Sequence, residues 1–430
     1  MKKTLSVLLM AILSVGMVFA SGQSEQDGVT DSKNEVVTIK YAFWGNPDAI
    51  GVEQDIIEAF EASHPNIKVE PVVSGYNDYN SKIMTMIAGG MAPDVMRIDS
   101  YNFSDFTALN AVENLDTYIE KSNFDINIYP TAAIDEITVD GSVYALPWAT
   151  APLYMLINLN AFEKAGIELP SYDWTMDDFF EIVEAFDGSN SGCYGYATEC
   201  DQLSSFLPFI WADGGNVLSD DLNTYTLDNP NAYTQVQRLA DQYKKGNLPK
   251  DTITADADTL TRWFTNNTVA MRSGSSMDIL TIQNVEGAKF EAYPMPGSVV
   301  KNTTVYKSNE ICMSKNSKNK DAAWEFMKFL RGNSGETLYV QARRTPPMLL
   351  NDDTLWDQFL TPGKYPQNIK DAANQIATIY GHKLPLRKGY AEIATTLTPT
   401  FQSVMIGNES AEEGFSKIAD KVQAVIDRNN

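Results

Sequence analysis

The sequence predicts an exported α/β protein of more than one domain, and three observations carry that expectation. Short apolar runs with a period of two alternate with helical patterns from residue 37 onward, the signature of a mainly parallel sheet covered by helices. The chain of 430 residues opens with a leader-like segment. The roughly 400 residues that follow exceed the ~250 to 300 at which single cores stop growing.

The leader reads "MKKTLSVLLMAILSVGMVFA": Lys2 and Lys3, an apolar run from Leu5 to Met17, and a small residue, Ala20, at the expected cleavage point. It is a signal peptide over 1–20, and its apolar core is shorter than the ~20 residues of a membrane-spanning helix. No cysteine lies near Ala20, so the lipid attachment used at a new N-terminal cysteine is closed to it. The polar stretch 21–35, "SGQSEQDGVTDSKNE", cannot build a core and reads as a flexible tether. An exported, unanchored chain is best retained in a periplasm.

Beyond the tether, Val37, Ile39, Tyr41 and Phe43 alternate with Thr38, Lys40, Ala42 and Trp44, the period of a strand. Gly45, Asn46 and Pro47 break it, and Val52, Ile56, Ile57 and Phe60 start a helix at spacings of three and four. "NIKVEPVV" is a second strand, a helix through Ile83, Met84 and Ile87 stops at Gly89-Gly90, and "PDVMRID" is a third strand. Ligands of such sheets bind beyond the carboxyl ends of the strands, where Trp44 and Asp99 stand. An aromatic ring at that lip either packs on the following helix or floors a crevice.

Farther on, "DGSVYALPWATAPLYMLIN" gives a turn and two strands with Trp148 between Pro147 and Pro152. A second unit follows with its own helices, one preceded by Thr175 and Asp178 in a capping arrangement. "TVAMRSGSSMDIL" is a strand, a Ser/Gly turn and a helix, and "FEAYPMPG" contains a further strand. "EICMSKNSKNKDAAWEFMKFLRG" joins a strand to an amphipathic helix through a lysine-rich turn. The last helix carries Phe415, Ile418, Val422 and Ile426 on one face.

A formal charge of −23 repels nucleic acid and anionic lipid, which excludes both as expected partners. Two histidines, His64 at a helix end and His382 in an expected loop, are too few for a histidine-centred zinc site or a Ser-His-Asp triad. Nucleotide-loop and hydrolase signatures are missing, and Asp256 and Asp258 lack the glycine turn of a calcium loop. No cofactor and no metal is expected. Cys193 and Cys200, in "GCYGYATEC", are candidates for a disulfide in an oxidising compartment, whereas Cys312 reads as a buried thiol. What remains is an abundance of Trp and Tyr at lips and turns, among Asp, Asn, Ser and Arg. That equipment suits a polyhydroxylated ligand, whose ring faces stack on aromatics while its hydroxyls need polar partners.

Five blocks, "FWGNPDAIGVEQDIIEAFEASHPNIKVEPV", "KIMTMIAGGMAPDVMRID", "GSVYALPWATAPLYMLINLNAFEKAGIELP", "WTMDDFFEI" and "SKNSKNKDAAWEFMKFL", resemble in order and spacing the extracellular solute-binding proteins, family 1, of bacterial ABC transporters, which include maltose-binding-protein-like chains. The resemblance implies a two-lobed α/β protein with the type II periplasmic binding protein fold, closing on a ligand held between its lobes. It implies lobe one at 36–149 plus 305–330 and lobe two at 150–304 plus 331–430. The family's cleft positions carry over to Trp44, Asn46, Tyr76, Asn77, Asp99 and Tyr101 on lobe one. From lobe two and the crossovers they carry over to Trp148, Tyr154, Trp211, Asp213, Ser275, Ser276 and Arg344. Met277 stands where many relatives have Trp, and Ser308-Asn309-Glu310 where many have paired glycines, which brings Asn309 and Glu310 toward the ligand.

The resemblance implies a non-catalytic, monomeric sugar-binding protein that serves an ABC transporter permease, with Trp44 as a stacking platform. Two alternatives stand beside it: a binding protein for a polyamine or other cationic or polyol solute, favoured by the acidic balance, and a secreted glycoside hydrolase, which needs a carboxyl pair.

Overall fold

The computed structural model describes residues 36–45, 47–150, 152–342, 345–349, 352–360 and 364–430. The signal peptide and tether expected within 1–35, together with Asn46 and Arg344, lie outside the described residues.

Strands β1 (Val37–Trp44), β2 (Ile67–Ser74) and β3 (Val95–Ile98) pair in parallel, separated by the helices Pro47–Ser63 and Tyr76–Ala88. The alternation of β1 is realised as two cores: Ile39, Tyr41 and Phe43 pack on one face of the sheet and Ala42 on the other. Both faces are covered, as a parallel sheet requires. A hairpin of β4 (Thr138–Val139) and β5 (Ser142–Val143) follows, turning at Asp140 and Gly141 with φ of 50 and 79°. Two successive positive φ values are the geometry that an Asp-Gly turn supplies.

From β6 (Leu146–Thr150) the chain crosses to a second sheet, formed by β7 (Tyr154–Asn158), β8 (Tyr194–Ala197), β9 (Val269–Gly274) and β10 (Phe290–Tyr293). It returns through β11 (Thr304–Tyr306), which pairs with the late strand β13 (Gly381–Lys383), and β12 (Ser308–Met313) completes the first sheet. The strand orders are β2-β1-β3-β12-β6 and β10-β7-β9-β8. In each sheet a single strand opposes all the others: β12 is antiparallel to β3 and β6, and β7 is antiparallel to β9 and β10. These two strands directly follow the crossings. A chain that enters a sheet at the end where its neighbours finish must run the other way, so the crossings lie at the carboxyl ends of both sheets.

The expected capping of the helix Met176–Ala185 is present, with Asp178 N donating to Thr175 Oγ1 at 3.1 Å and Thr175 N donating back to Asp178 Oδ2 at 2.8 Å. His64 closes its helix, its ring stacked on Phe60 at 4.3 Å. Three expectations need correction. Cys193 and Cys200 are both free thiols: β8 runs extended between them, and its four residues span about 13 Å, near twice the Cα separation a disulfide tolerates. His382 belongs to β13, not to a loop. The helix Asn333–Gln341, assigned with 331–430 to the second lobe, packs on the first sheet's side, where Tyr339 Oη donates to Glu53 Oε2 at 2.8 Å and Arg331 Nε donates to Pro147 O at 2.6 Å.

Arg97 occupies the middle of the first sheet's core with no exposure. Its guanidinium pairs with Glu53, donates to Tyr41 Oη at 3.0 Å and to Trp44 O at 3.3 Å, and lies 3.6 Å from the centre of the Trp148 ring. Removing one partner strands the other charge in the interior, which costs ~3 to 5 kcal/mol. Arg97→Ala is therefore expected to lower urea-denaturation stability by that amount, and Glu53→Leu with Arg97→Met together to recover most of it. A single variant as stable as the parent would contradict this. The disulfide correction is checked separately: three thiols should react with a chromogenic disulfide after unfolding without reductant, and one alone would restore the bridge.

Candidate functional site

The carboxyl ends of the two sheets bound a common cleft. On the first side, Trp44 ends β1, Tyr76 and Asn77 open the helix after β2, and Asp99 with Tyr101 opens the helix after β3. Asp99 caps that helix: its Oδ1 accepts from Tyr101 N at 3.0 Å and its Oδ2 from Tyr76 Oη at 3.2 Å. Trp44 meets Tyr76, Tyr79 and Trp148 edge to face, with centroids 5.7, 5.1 and 6.2 Å away. Tyr76 remains 53 % exposed. A hollow of about 250 Å³ lies among Trp44, Tyr76, Asn77, Asp99 and Asn102.

A second hollow, of about 490 Å³, joins this wall to the other sheet's elements. It is lined by Tyr76, Asp99, Tyr101 and Asn102 on one side and by Asp201, Gln202, Leu203, Ala391, Thr395 and Thr398 on the other. The walls touch at its rim, where the Tyr101 and Tyr390 rings lie parallel 5.8 Å apart and Gly389 N donates to Asp105 Oδ1 at 2.8 Å. Gly389 adopts φ +80°, and a Cβ there would meet the Asn429 side chain at 2.5 Å, so only glycine fits this cap.

A family model described as bacterial extracellular solute-binding protein matches residues 55–354, most of the chain. The chain belongs to that family. A binding protein of Brucella abortus is 24 % identical over 386 residues, covering 87 % of this chain and 89 % of the relative. The fold matches an ABC substrate-binding protein from Listeria monocytogenes in complex with cycloalternan, at a TM-score of 0.79 with 22 % identity over 91 % of this chain and 100 % of that one. It also matches an ABC transporter solute-binding protein from Thermotoga lettingae bound with α-D-tagatose, at 0.77 with 20 % identity and the same coverage. These likenesses give this solute-binding protein the two-lobed periplasmic binding protein fold, with the cleft between the lobes.

The sequence-derived positions divide into those at the cleft and those buried or engaged elsewhere. Trp44, Tyr76, Asn77, Asp99 and Tyr101 are brought together. Trp148 lies beneath them at 5 % exposure, its face taken by Arg97 and its edge by Tyr339, so it has no free face to offer. Trp211 is buried and stacked on His382 at 4.0 Å, and Asp213 accepts from Gln235 Nε2 at 2.7 Å. Ser275 caps the helix Ser276–Ile282, and Ser276 is buried at its start. Tyr154, also buried, lines a separate cavity of about 440 Å³ with Tyr306, Pro346 and Trp356. The cleft residues that sequence reasoning missed are Asn102, Asp201, Thr395 and the Tyr390 that stacks on Tyr101; the glycine before Tyr390, at a helix start, is the one local signal that marked any of them.

Asn309 and Glu310 lie at the cleft end of β12, where the pairing with β6 shifts register. Glu310 is 1 % exposed, and among the described residues neither of its carboxylate oxygens has a hydrogen-bond partner. Burial, then the nearby Glu136 and Asp99, hold its carboxyl well above the usual range, against the pull of Lys307. Lys307 itself lies 4.4 Å from the Tyr101 ring centre. Burial disfavours its charge, but Tyr101, Asp99, Tyr76 and Glu136 outweigh that and raise its pKa.

Glu136 accepts from Ser308 N at 2.6 Å and from Ser308 Oγ at 2.7 Å, which ties the helix Thr131–Glu136 to the crossing. Burial pushes its carboxyl up to about 7, although Ser308, Lys383 and Lys307 favour the anion. An acid that binds its proton more tightly when folded contributes stability that is complete below its unfolded pKa, near 4.5, and is lost as pH rises through about 7. Stability should thus fall between pH 5 and pH 8, by up to ~3 kcal/mol from this group. Thermal melts across that range should flatten in Glu136→Gln, and an unchanged pH slope in the variant would remove Glu136 as its source.

Proposed function

We propose that this protein is the carbohydrate-binding component of an ABC transporter, which takes a mono- or oligosaccharide between its lobes and passes it to the membrane permease. The observation that carries this reading is the first lobe's lip, where Trp44, Tyr76 and Tyr101 stand interleaved with Asn77, Asp99 and Asn102. The exposed Tyr76 ring beside these polar side chains matches the two surfaces of a sugar. Cycloalternan and α-D-tagatose in the structural relatives support the same ligand class.

A ligand that touches both walls binds the closed arrangement better than the open one, which is enough to couple binding to closure. The lobes proposed are 36–149 with 308–341, and the second sheet with the remaining late helices. The protein acts as a monomer in the periplasm after loss of its signal peptide, and it performs no catalysis. The cleft roles assigned to Trp44, Tyr76, Asn77, Asp99 and Tyr101 belong to this proposal.

The test is thermal shift and tryptophan fluorescence on the chain from Ser21, unfolded and refolded to release carried-over ligand, against a panel of sugars and polyols. One sugar class should give a saturable shift, since ligand at 100 times its Kd adds ~2.7 kcal/mol of stability. Tyr76→Ala should then weaken binding by ~2 kcal/mol, the loss typical of a central aromatic anchor. Product analysis of the same mixtures should find the sugar unchanged. Silence across all sugars would overturn the carbohydrate reading, and turnover would replace it with a glycoside hydrolase.

A further inference from the structure

The helix Tyr390–Met405 brings Ala391, Thr395 and Thr398 to the second wall of the larger hollow, at the spacings of three and four that put residues on one helix face. Its first N–H groups have no carbonyl one turn earlier to bond with. The residue before it is Gly389, which has no side chain with which to cap them. A side chain there would need φ +80° and would meet Asn429 at 2.5 Å, so a cap of its own is closed to this helix.

The cap comes from the opposite lobe. Asp105, on the helix Ser100–Ala108 of the first wall, accepts from Gly389 N at 2.8 Å and brings a carboxylate to the positive end of a 16-residue helix. One turn earlier on the same face as Asp105, Tyr101 lies against Tyr390 with the two rings within 2° of parallel. None of these four residues belongs to the crossing strands β6, β7, β11 and β12, so a rotation that opens the lobes about the crossings breaks both contacts. The described linings of the two hollows include neither Asp105 nor Gly389.

We propose that Asp105 is a positioning residue for solute capture: it sets affinity through the balance between open and closed lobes and touches no solute. The inference rests on the reading that the solute is held between the lobes, whatever its chemical class. A solute that binds the closed arrangement has an apparent affinity that depends on the closed fraction. Removing the cap lowers that fraction by the same factor for every solute.

The experiment is single-molecule energy transfer on the refolded mature chain, with dyes at Met91→Cys on one lobe and Val299→Cys on the other, both exposed positions. A Cys193→Ser background leaves only the buried Cys200 and Cys312 as native thiols. Without any sugar, the closed fraction should fall about fivefold in Asp105→Ala, the usual worth of a helix cap. In Asp105→Asn, whose amide oxygen still accepts from Gly389 N, it should stay within about twofold of the parent. Isothermal titration with glucose, maltose, maltotriose and cellobiose should show every sugar that binds losing one common factor in Asp105→Ala. A closed fraction that is the same in parent and Asp105→Ala, including none in either, would overturn the role of Asp105, as would factors that differ between sugars. Silence from every sugar would overturn the carbohydrate reading alone, because the closed fraction is measured without one.

Discussion

Much of the first lobe depends on one buried charge. Arg97 sits on β3 with no exposure, and its guanidinium reaches β1 through Tyr41 and the Trp44 carbonyl, the first helix through Glu53, and β6 through the Trp148 ring. Glu53 in turn accepts from Tyr339 on a helix almost 300 residues later in the chain. A pair of this kind adds little net stability over a well-packed apolar core, because desolvation offsets most of the attraction. What it imposes is geometry. Apolar side chains could fill the same volume in several registers, whereas the charge is tolerated only where all of its partners converge. Trp44, whose carbonyl is one of those partners, is thereby fixed at the lip of the sheet.

The second constraint is topological. With the crossings at the carboxyl ends of both sheets, the reversed strands β7 and β12 begin in the cleft. Of their first residues, Ser308 to Glu310 stand at the cleft end of β12, whereas Tyr154 turns into the separate cavity beside Tyr306 and Trp356. Side chains on β12 belong at once to the cleft wall and to the crossing. Glu136 holds Ser308 by backbone and side chain, and Glu310 follows two residues later at the register shift.

The first lobe's lip was legible in the sequence because its signal is local. A strand with period two, a Gly-Asn-Pro break and a helix of period 3.6 locate Trp44 within a single window, and the same pattern locates Asp99 after β3. Trp148 was not legible. A tryptophan at the end of a strand reads the same whether its ring rises into the cleft or turns beneath the sheet, and the choice is made by Arg97, some fifty residues away. Trp211 and Asp213 failed for a similar reason, since their partners His382 and Gln235 come from elements that no local pattern ties to them. The spacing of Cys193 and Cys200 suggested a short loop, but the β pattern of "YGYA" between them already required an extended chain. On the opposite wall, Asp201 and Thr395 come from a loop and a helix nearly 200 residues apart, and only the tertiary fold brings them to one cavity.

Charge and closure meet on β12. Lys307, just before the strand, and Glu310 on it lie within four residues of one another, and both feel Asp99 and Glu136 on the first lobe. A ligand that touches both walls makes its contacts to the second one only when the lobes are together, and the loss of water on closure strengthens each polar contact that forms there. Selectivity of this kind resides in the difference between open and closed states and not in any single hydrogen bond.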